Sequence, residues 1–174
     1  MSTAKKRQII QRYNKERQRN ILAKPGPNEF ILVLDSLKPS FNVAKIFRSA
    51  EAFGATAIHL IDIGTFDTSP AKGSFRKVPA VFHESFSDSY RDLTDQGYHL
   101  YNLSPDSKHS LTDIELPAKS AFVFGHEEFG HSFSSKDFPE IQPVSIPQFG
   151  SVQSLNVSIA ASIVMFEYIR QNPP

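Results

Sequence analysis

The sequence predicts an α/β protein with a mostly parallel sheet flanked by helices. Short apolar runs typical of buried strands occupy residues 30–34 and 57–61. Between them, residues 42–53 place an apolar side chain every three or four positions, which is typical of a helix. A strand, a helix and a second strand in this order form the crossover unit of a parallel sheet.

The rest of the chain continues this alternation. Apolar runs and helical spacing predict further strands at 80–82, 98–103, 121–124 and 144–146, and helices at 87–95 and 154–170. The last helix is expected to be amphipathic, with a buried face formed by Leu155, Ile159, Ile163, Phe166 and Ile169. Because ligands bind beyond the carboxyl ends of parallel strands, the turns after these strands are where we expect the functional site.

The N-terminal segment differs from the rest in charge. Residues 1–24 hold eight Lys or Arg side chains and one Glu, whereas the remaining residues carry more acidic than basic groups. Residues 2–23 lack Gly and Pro, which predicts a basic helix that ends before Pro25, Gly26 and Pro27. We therefore divide the chain into a helical extension with its linker, 1–27, and one domain, 28–174.

A basic segment of this kind is a candidate for binding the phosphates of a nucleic acid. A solvated tail is the alternative, and composition alone does not choose between them. The candidate RNA-binding side chains are Lys5, Lys6, Arg7, Arg12, Lys15, Arg17 and Arg19.

Composition excludes several classes of protein. The chain has no cysteine, so a disulfide framework, a thiolate metal site and a cysteine nucleophile are ruled out. No apolar run approaches the roughly 18 residues of a membrane-spanning helix, and the first 20 residues lack the apolar core of a signal peptide. We expect a soluble, cytoplasmic protein.

Single motifs do not identify a site. His126 and His131 are five residues apart, so they do not share one helical face as a zinc pair would, and we expect no metal. Gly125 and Gly130 suggest a tight, ligand-facing turn, although an ordinary turn would use the same residues. The chain lacks the glycine patterns of phosphate-binding loops and the nucleophile turn of serine hydrolases.

Three longer motifs, in order, resemble the SpoU (TrmH-like) family of RNA 2′-O-ribose methyltransferases in the SPOUT superfamily. Residues 42–54 contain an Asn, an Arg-x-Ala and a closing Gly. Residues 124–130 match a G-x-E-x-x-G pattern, and residues 146–158 match I-P-x-x-G followed by S-L-N-V-S. The resemblance covers about residues 30–170. Gln148 stands where many relatives have Met, and His126 where Asn or Ser is common.

This resemblance implies a deep trefoil knot in the C-terminal part, whose loops hold S-adenosylmethionine mostly through backbone atoms. It also implies a homodimer with the active site at the subunit interface. The residues that match the family's cofactor-contacting positions are Leu103, Gly125, Ile146 and Leu155.

The resemblance also implies catalytic roles. Arg48 would assist loss of the ribose hydroxyl proton; since a guanidinium stays protonated at neutral pH, stabilising the developing alkoxide is one interpretation, and a base perturbed by a bound phosphate is the other. Asn42 and Glu127 would position the substrate and the arginine. Ser154 and Asn156 would organise the third-motif loop and the target nucleotide, although alone they are typical helix caps.

We therefore expect a ribose methyltransferase acting on structured RNA, with tRNA favoured over rRNA. One alternative is a knotted RNA-binding or assembly factor that has lost catalysis. A generic nucleotide-binding α/β protein is a more distant alternative, because the phosphate loops are missing.

Overall fold

The structure, a computed structural model, describes residues 2–173. These residues form four α-helices and six strands: α1 Thr3–Asn20, β1 Phe30–Asp35, α2 Phe41–Ala52, β2 Ala57–Ile61, β3 Ala80–His83, α3 Phe86–Asp95, β4 His99–Leu103, β5 Ser120–Phe124, β6 Gln142–Val144 and α4 Val157–Gln171. The strands form one sheet in the order β3-β2-β1-β5-β4-β6, and every pairing is parallel. The predicted α/β class, with a mostly parallel sheet flanked by helices, is confirmed.

The sheet is covered on both faces. Along β1, the side chains of Phe30, Leu32 and Leu34 pack into one core with α2 and α4. Ile31 and Val33 face the other core, beneath α3. Since both faces are covered, β1 is a continuous apolar run rather than an alternating one, as expected for a central parallel strand.

The prediction for the last strand was wrong in position. β6 spans Gln142–Val144, so it shares only its last residue with the predicted 144–146. Ser145 instead bonds to the preceding loop: its N–H donates to the carbonyl of His109, and its own carbonyl accepts from Leu111 N, each at 2.8 Å. Pro143 is tolerated because β6 is an edge strand with β4 as its single neighbour.

The last helix begins later than predicted and buries a different face. Asn156 is the N-cap, with its side-chain oxygen accepting from Ser158 N at 3.0 Å, so Ser154 and Leu155 lie outside α4. The predicted buried residues Ile159, Ile163 and Phe166 are 53%, 36% and 60% exposed. The face in the core carries Val157, Ala161, Val164, Met165 and Tyr168. Because α4 is apolar on two sides, periodicity could not determine which side the sheet covers.

The N-terminal helix is docked on the domain. Tyr13 is buried, and its ring centroid lies 5.2 Å from that of Phe66 and 5.7 Å from that of Phe75. At the end of α1, buried Asn20 donates to the carbonyls of Phe75 and Val78 and accepts from Ala80 N. The extension is therefore part of the folded body.

The linker after α1 is also fixed to the sheet. Gly26 N donates to Ala55 O and Asn28 N donates to Gly54 O, each at 3.0 Å. A Cβ at Gly26 would lie 2.3 Å from Gly54 O, so only glycine permits this close approach. Within residues 2–173, no helix combines the length and the apolar character needed to cross a membrane.

Candidate active site

A cavity of about 910 Å³ opens beyond the carboxyl ends of β4 and β5. It is enclosed by the loops that follow these strands and by the segment leading into α4. All four predicted cofactor-contacting residues line it: Leu103, Gly125, Ile146 and Leu155. Three of the predicted catalytic residues line it as well: Glu127, Ser154 and Asn156. A site at this edge of the sheet agrees with the general rule for open parallel sheets.

A chain of hydrogen bonds joins the three sequence motifs at the edge of this cavity. Asn42 Nδ2 donates to Glu127 Oε1 at 3.2 Å, and Asn156 Nδ2 donates to Asn42 Oδ1 at 3.3 Å. The other oxygen of Glu127 accepts from Lys38 N at 3.3 Å. Asn42 does not line the cavity; it connects two residues that do. Ser154 lines the cavity without a hydrogen bond to any residue of the described part, 2–173.

The loop after β5 is a tight turn closed by its own backbone. His126 N donates to Gly130 O at 2.7 Å, and Gly130 N donates to His126 O at 2.9 Å. A Cβ on Gly125 would lie 2.6 to 2.7 Å from backbone atoms of Gly130 and His131, and Gly130 has φ +73°. The Nδ1 atom of His126 accepts from the N–H groups of Glu128 and Phe129, so that atom is not free to bind a metal.

Arg48 lies apart from the cavity. It is exposed on α2, on the side that also exposes Phe41, seven residues earlier. Among residues 2–173 it forms no hydrogen bond or ion pair. The next residue, Ser49, contacts Ser162 of α4 with an Oγ–Oγ distance of 2.9 Å, which puts Arg48 beside α4. Within one chain, Glu127, Ser154 and Asn156 line the cavity and Arg48 does not.

Sequence reasoning missed a buried acid next to the cavity. Asp35, at the end of β1, is fully buried and accepts from the N–H and the hydroxyl of Ser132, each at 2.6 Å. The cavity-lining His131 has its Nδ1 3.9 Å from Asp35 and without a hydrogen-bond partner, while Nε2 donates to Leu103 O. Burial lowers the pKa of His131, against the opposing effects of the Leu103 carbonyl and Asp35. An Asp closing an apolar strand was the signal available in the sequence.

Gln148 was also set aside at the sequence level. Its side chain lines the cavity, and its Oε1 atom is buried without a hydrogen-bond partner. Buried acceptors of this kind are uncommon unless they meet a ligand or water. Gln148 is therefore a further candidate for contacting a bound molecule.

The seven basic candidates of α1 are all exposed. Two of them also contact the domain: Arg12 forms an ion pair with Asp67 at 3.1 Å, and the Arg17 guanidinium lies 4.1 Å from the ring centroid of Phe82. Arg17 and Phe82 line a second, open groove of about 620 Å³ between α1 and β3. The positive side chains thus lie along one helix, α1, which is docked on the domain.

The parallel sheet and the cavity beside the glycine turn define an α/β protein with a candidate small-molecule site at the carboxyl ends of its strands. The chain belongs to the SpoU rRNA Methylase family, whose model matches residues 29–166.

Individual relatives act on two kinds of RNA. The chain is 30% identical over 151 residues to 23S rRNA (guanosine-2'-O-)-methyltransferase RlmB of Xylella fastidiosa, covering 84% of this chain and 60% of that protein. It is 28% identical to tRNA (guanosine(18)-2'-O)-methyltransferase of Thermus thermophilus, covering 90% and 82%. The chain thus spans about 60% of the length of the RlmB relatives.

Solved structures share the fold. An AdoMet-bound rRNA methyltransferase from Sinorhizobium meliloti superimposes with a TM-score of 0.73 at 23% identity, over 87% of this chain and 59% of that one. A structure described as giving insights into the 2-OH methylation of C/U34 on tRNA has a TM-score of 0.74 at 25% identity, over 84% and 98%.

Proposed function

We propose that this protein transfers a methyl group from S-adenosylmethionine to the ribose 2′-hydroxyl of a nucleotide in structured RNA, with tRNA as the expected substrate. The observation that carries the proposal is the hydrogen-bonded chain Glu127–Asn42–Asn156 beside a cavity lined by the four residues matched to cofactor contacts. Membership in a methylase family supports the same reaction.

The cavity suits S-adenosylmethionine in size and chemistry. A volume of about 910 Å³ falls within the range of about 300–1,000 Å³ common for small-molecule sites. Apolar side chains such as Ile146 and Leu155 can cover the adenosine, while backbone groups at Gly125 can approach closely because no side chain intervenes. Gln148 Oε1 offers an unused acceptor for an amino group of the ligand.

The residues of this chain would act mainly by alignment and electrostatics. When bound, S-adenosylmethionine would supply a methyl group on a cationic sulfur; the new C–O bond would replace the C–S bond, leaving a neutral thioether, while the hydroxyl proton passes to water. The Arg48 guanidinium would stabilise negative charge that develops on that oxygen. Asn42 and Glu127 hold each other in one orientation, so they can position the nucleotide without rearranging. The Asn156 side chain both caps α4 and donates a hydrogen bond to Asn42. These two contacts fix the third-motif loop beside Asn42 and Glu127.

We infer that the active unit is a homodimer. Ile159, Ile163 and Phe166 form an exposed apolar stripe on α4, and Phe41 is 57% exposed on the adjoining helix α2. Exposed apolar groups that cluster in this way are typical of protein–protein interfaces. Pairing through this surface would bring Arg48 of the partner subunit toward the cavity, which the same chain's Arg48 does not line.

We assign RNA binding to the extension, residues 1–27, and methyl transfer to the knotted domain, 28–174. Exposed Lys and Arg side chains along α1 can follow phosphates and provide affinity. The deep trefoil knot of this domain is proposed from its family motifs; the sheet-edge order β5-β4-β6 is compatible with it. An RNA-modifying role is consistent with action in the cytoplasm.

The tRNA proposal is supported by the tRNA enzyme of Thermus thermophilus, which matches 90% of this chain at 28% identity. An rRNA substrate is the second candidate, because the relatives at 30% identity modify 23S rRNA.

The test is to incubate the protein with labelled S-adenosylmethionine and total tRNA or rRNA from cells lacking its gene, then map the labelled nucleotide by digestion and mass. We expect label at one 2′-O-methylated nucleotide of tRNA. Label in rRNA would change the assigned substrate from tRNA to rRNA. Cofactor binding without label in either pool would indicate another RNA. A chain that does not bind S-adenosylmethionine in calorimetry would be a retired RNA-binding factor.

A further inference from the structure

Two histidines and an aspartate meet on the half of the sheet away from the cavity. His59 lies in the middle of β2, His83 is the last residue of β3, and Asp92 lies on α3, which covers these strands. The cavity, by contrast, adjoins β4 and β5, so none of the three residues lines it. Methyl transfer as proposed above makes no use of this cluster.

The donor atoms are spaced as ligands of one ion would be. His59 Nε2 and His83 Nε2 each lie 3.9 Å from Asp92 Oδ2. His83 Nε2 also lies 3.1 Å from His59 Nδ1, a hydrogen-bond contact that His83 would give up to coordinate the ion. One ligand atom from each residue lies within 4.8 Å of the others. Ligands about 2.0–2.2 Å from a zinc ion are separated by roughly 3–3.5 Å, so modest side-chain rotations would close the set.

Neighbouring hydrogen bonds orient these donors. Ser89 Oγ lies 2.8 Å from His59 Nδ1, whereas the other ring nitrogen, Nε2, lies 3.9 Å from Asp92 Oδ2. Gln96 Nε2 donates to Asp92 Oδ1 at 2.8 Å, which leaves Oδ2 toward the histidines. Partners of this kind hold the ligands of metal sites in place.

Both rings are shielded from solvent. His59 is 2% exposed, and the side chain of His83 is 12% exposed. A neutral imidazole can coordinate a metal ion through the lone pair of a ring nitrogen.

The cluster is open on one side. The side chains of His83 and Asp92 are 12% and 42% exposed, so an ion and its remaining water ligands can reach them from solvent. Two imidazoles and one carboxylate suit zinc and its first-row neighbours, whereas calcium and magnesium prefer oxygen ligands alone.

We propose that His59, His83 and Asp92 form a binding site for a divalent transition-metal ion, with zinc as the expected occupant. The ion would join α3 to the edge strand β3 and its neighbour β2, and would keep water in its open positions. The expectation of no metal rested on spacing along the chain, and these ligands are 24 and 9 residues apart on three different elements. The proposal does not depend on the methyltransferase function.

The test uses full-length, tag-free protein stripped with a chelator and then freed of it. Zinc is titrated by calorimetry, cobalt by visible absorption, and melting temperature is followed with and without zinc. We expect one zinc per chain, a cobalt spectrum of nitrogen and oxygen ligands, and a melting temperature that rises with zinc because the ion binds the folded state. S-adenosylmethionine binding, measured in parallel, should be unchanged.

Variants separate this site from adventitious binding. His83→Ala and Asp92→Asn should each weaken zinc binding at least tenfold and abolish the zinc-dependent rise in melting temperature. His99→Ala, which removes an exposed histidine of β4, should bind as the parent chain does. No zinc or cobalt binding by the folded parent chain, or equal binding by His83→Ala, would overturn the proposal and leave a hydrogen-bonded cluster.

Discussion

Asn42 and Glu127, 85 residues apart in sequence, are joined by a 3.2 Å hydrogen bond between the start of α2 and the turn after β5. Asn156 completes the arrangement by donating to the same Asn42 side chain. One amide thus uses both its donor and its acceptor to connect the first, second and third motifs. The family motifs are therefore three parts of one local structure.

Arg48→Ala tests the assigned catalytic group. We expect methyl transfer to fall by about 10²–10³-fold, as when one stabiliser of transition-state charge is removed. S-adenosylmethionine binding should be unchanged, since Arg48 does not line the cavity. Labelled transfer to tRNA and calorimetry measure the two quantities. Lys45→Ala, also exposed on α2, is the matched control, and full activity of Arg48→Ala would refute the role.

Gly125→Ala tests the tight turn beside the cavity. The added Cβ would meet backbone atoms at 2.6 Å, and overpacking of this kind typically costs about 1–3 kcal/mol. We expect a lower free energy of unfolding in urea and weaker cofactor binding, because the turn must move. Gly64→Ala, where nothing lies within 4 Å of the added Cβ, should leave both measurements unchanged.

Gln148→Met tests whether the unpartnered acceptor meets the ligand. Loss of one hydrogen bond should weaken S-adenosylmethionine binding by about two- to tenfold. Stability should hold or rise, because a buried oxygen without a partner is removed. Calorimetry and urea unfolding of the same preparation distinguish this result from a general loss of structure. Unchanged affinity would show that Gln148 Oε1 does not contact the cofactor.

His131 should contribute a pH dependence to stability. Because burial lowers its pKa below the ordinary value of 6.5, the unfolded chain takes up the proton first as the pH falls. The contribution of His131 is complete above pH 6.5 and is lost on acidification through the window down to its lowered pKa. NMR titration of the ring measures that pKa directly.

The matching variant is His131→Gln. It should lose less stability than the parent chain between pH 7 and pH 5, as measured by urea unfolding. His109→Gln, which changes a histidine outside the cavity, should follow the parent chain. An NMR pKa at or above 6.5 for His131 would contradict the expectation.

The basic face of α1 should contribute RNA affinity without sequence preference. Replacing Lys5, Lys6 and Arg7 together by Gln should weaken tRNA binding and reduce the slope of log affinity against log salt by up to about three. These side chains are exposed, so the fold should be retained. Lys136→Gln, elsewhere on the surface, is the control. An unchanged salt slope would remove α1 from the RNA-binding surface.

The sequence predicted what depends on local pattern. β2 was predicted with its observed ends, and β1 and α2 to within one residue, because each is a clear apolar period. Periodicity failed for α4, where Ile159 and Phe166 have the same spacing as the residues that the sheet buries. The exposed stripe becomes visible only when the rest of the chain is in place.

In the site, too, local motifs predicted some residues, and tertiary packing alone determined others. Leu103, Gly125, Ile146 and Leu155 follow from motif positions, and the structure brings them to one cavity. The proximity of Asp35 to His131 depends on how two distant loops cross, and no spacing along the chain encodes that contact. The meeting of His59 with Asp92 likewise requires the packing of a helix on a sheet.

Gly26, with its backbone pressed against Gly54, gives the molecule a property that its composition conceals. The segment Pro25-Gly26-Pro27 looks like a hinge, yet its hydrogen bonds to the entrance of β2 and the burial of Tyr13 make α1 and the sheet one rigid piece. The position of the cationic helix relative to the cavity is therefore set by these contacts with the folded domain. If α1 binds the RNA as proposed, the nucleotide that reaches the cavity is the one at the matching distance from the bound phosphates. The shape of the RNA would then select that nucleotide.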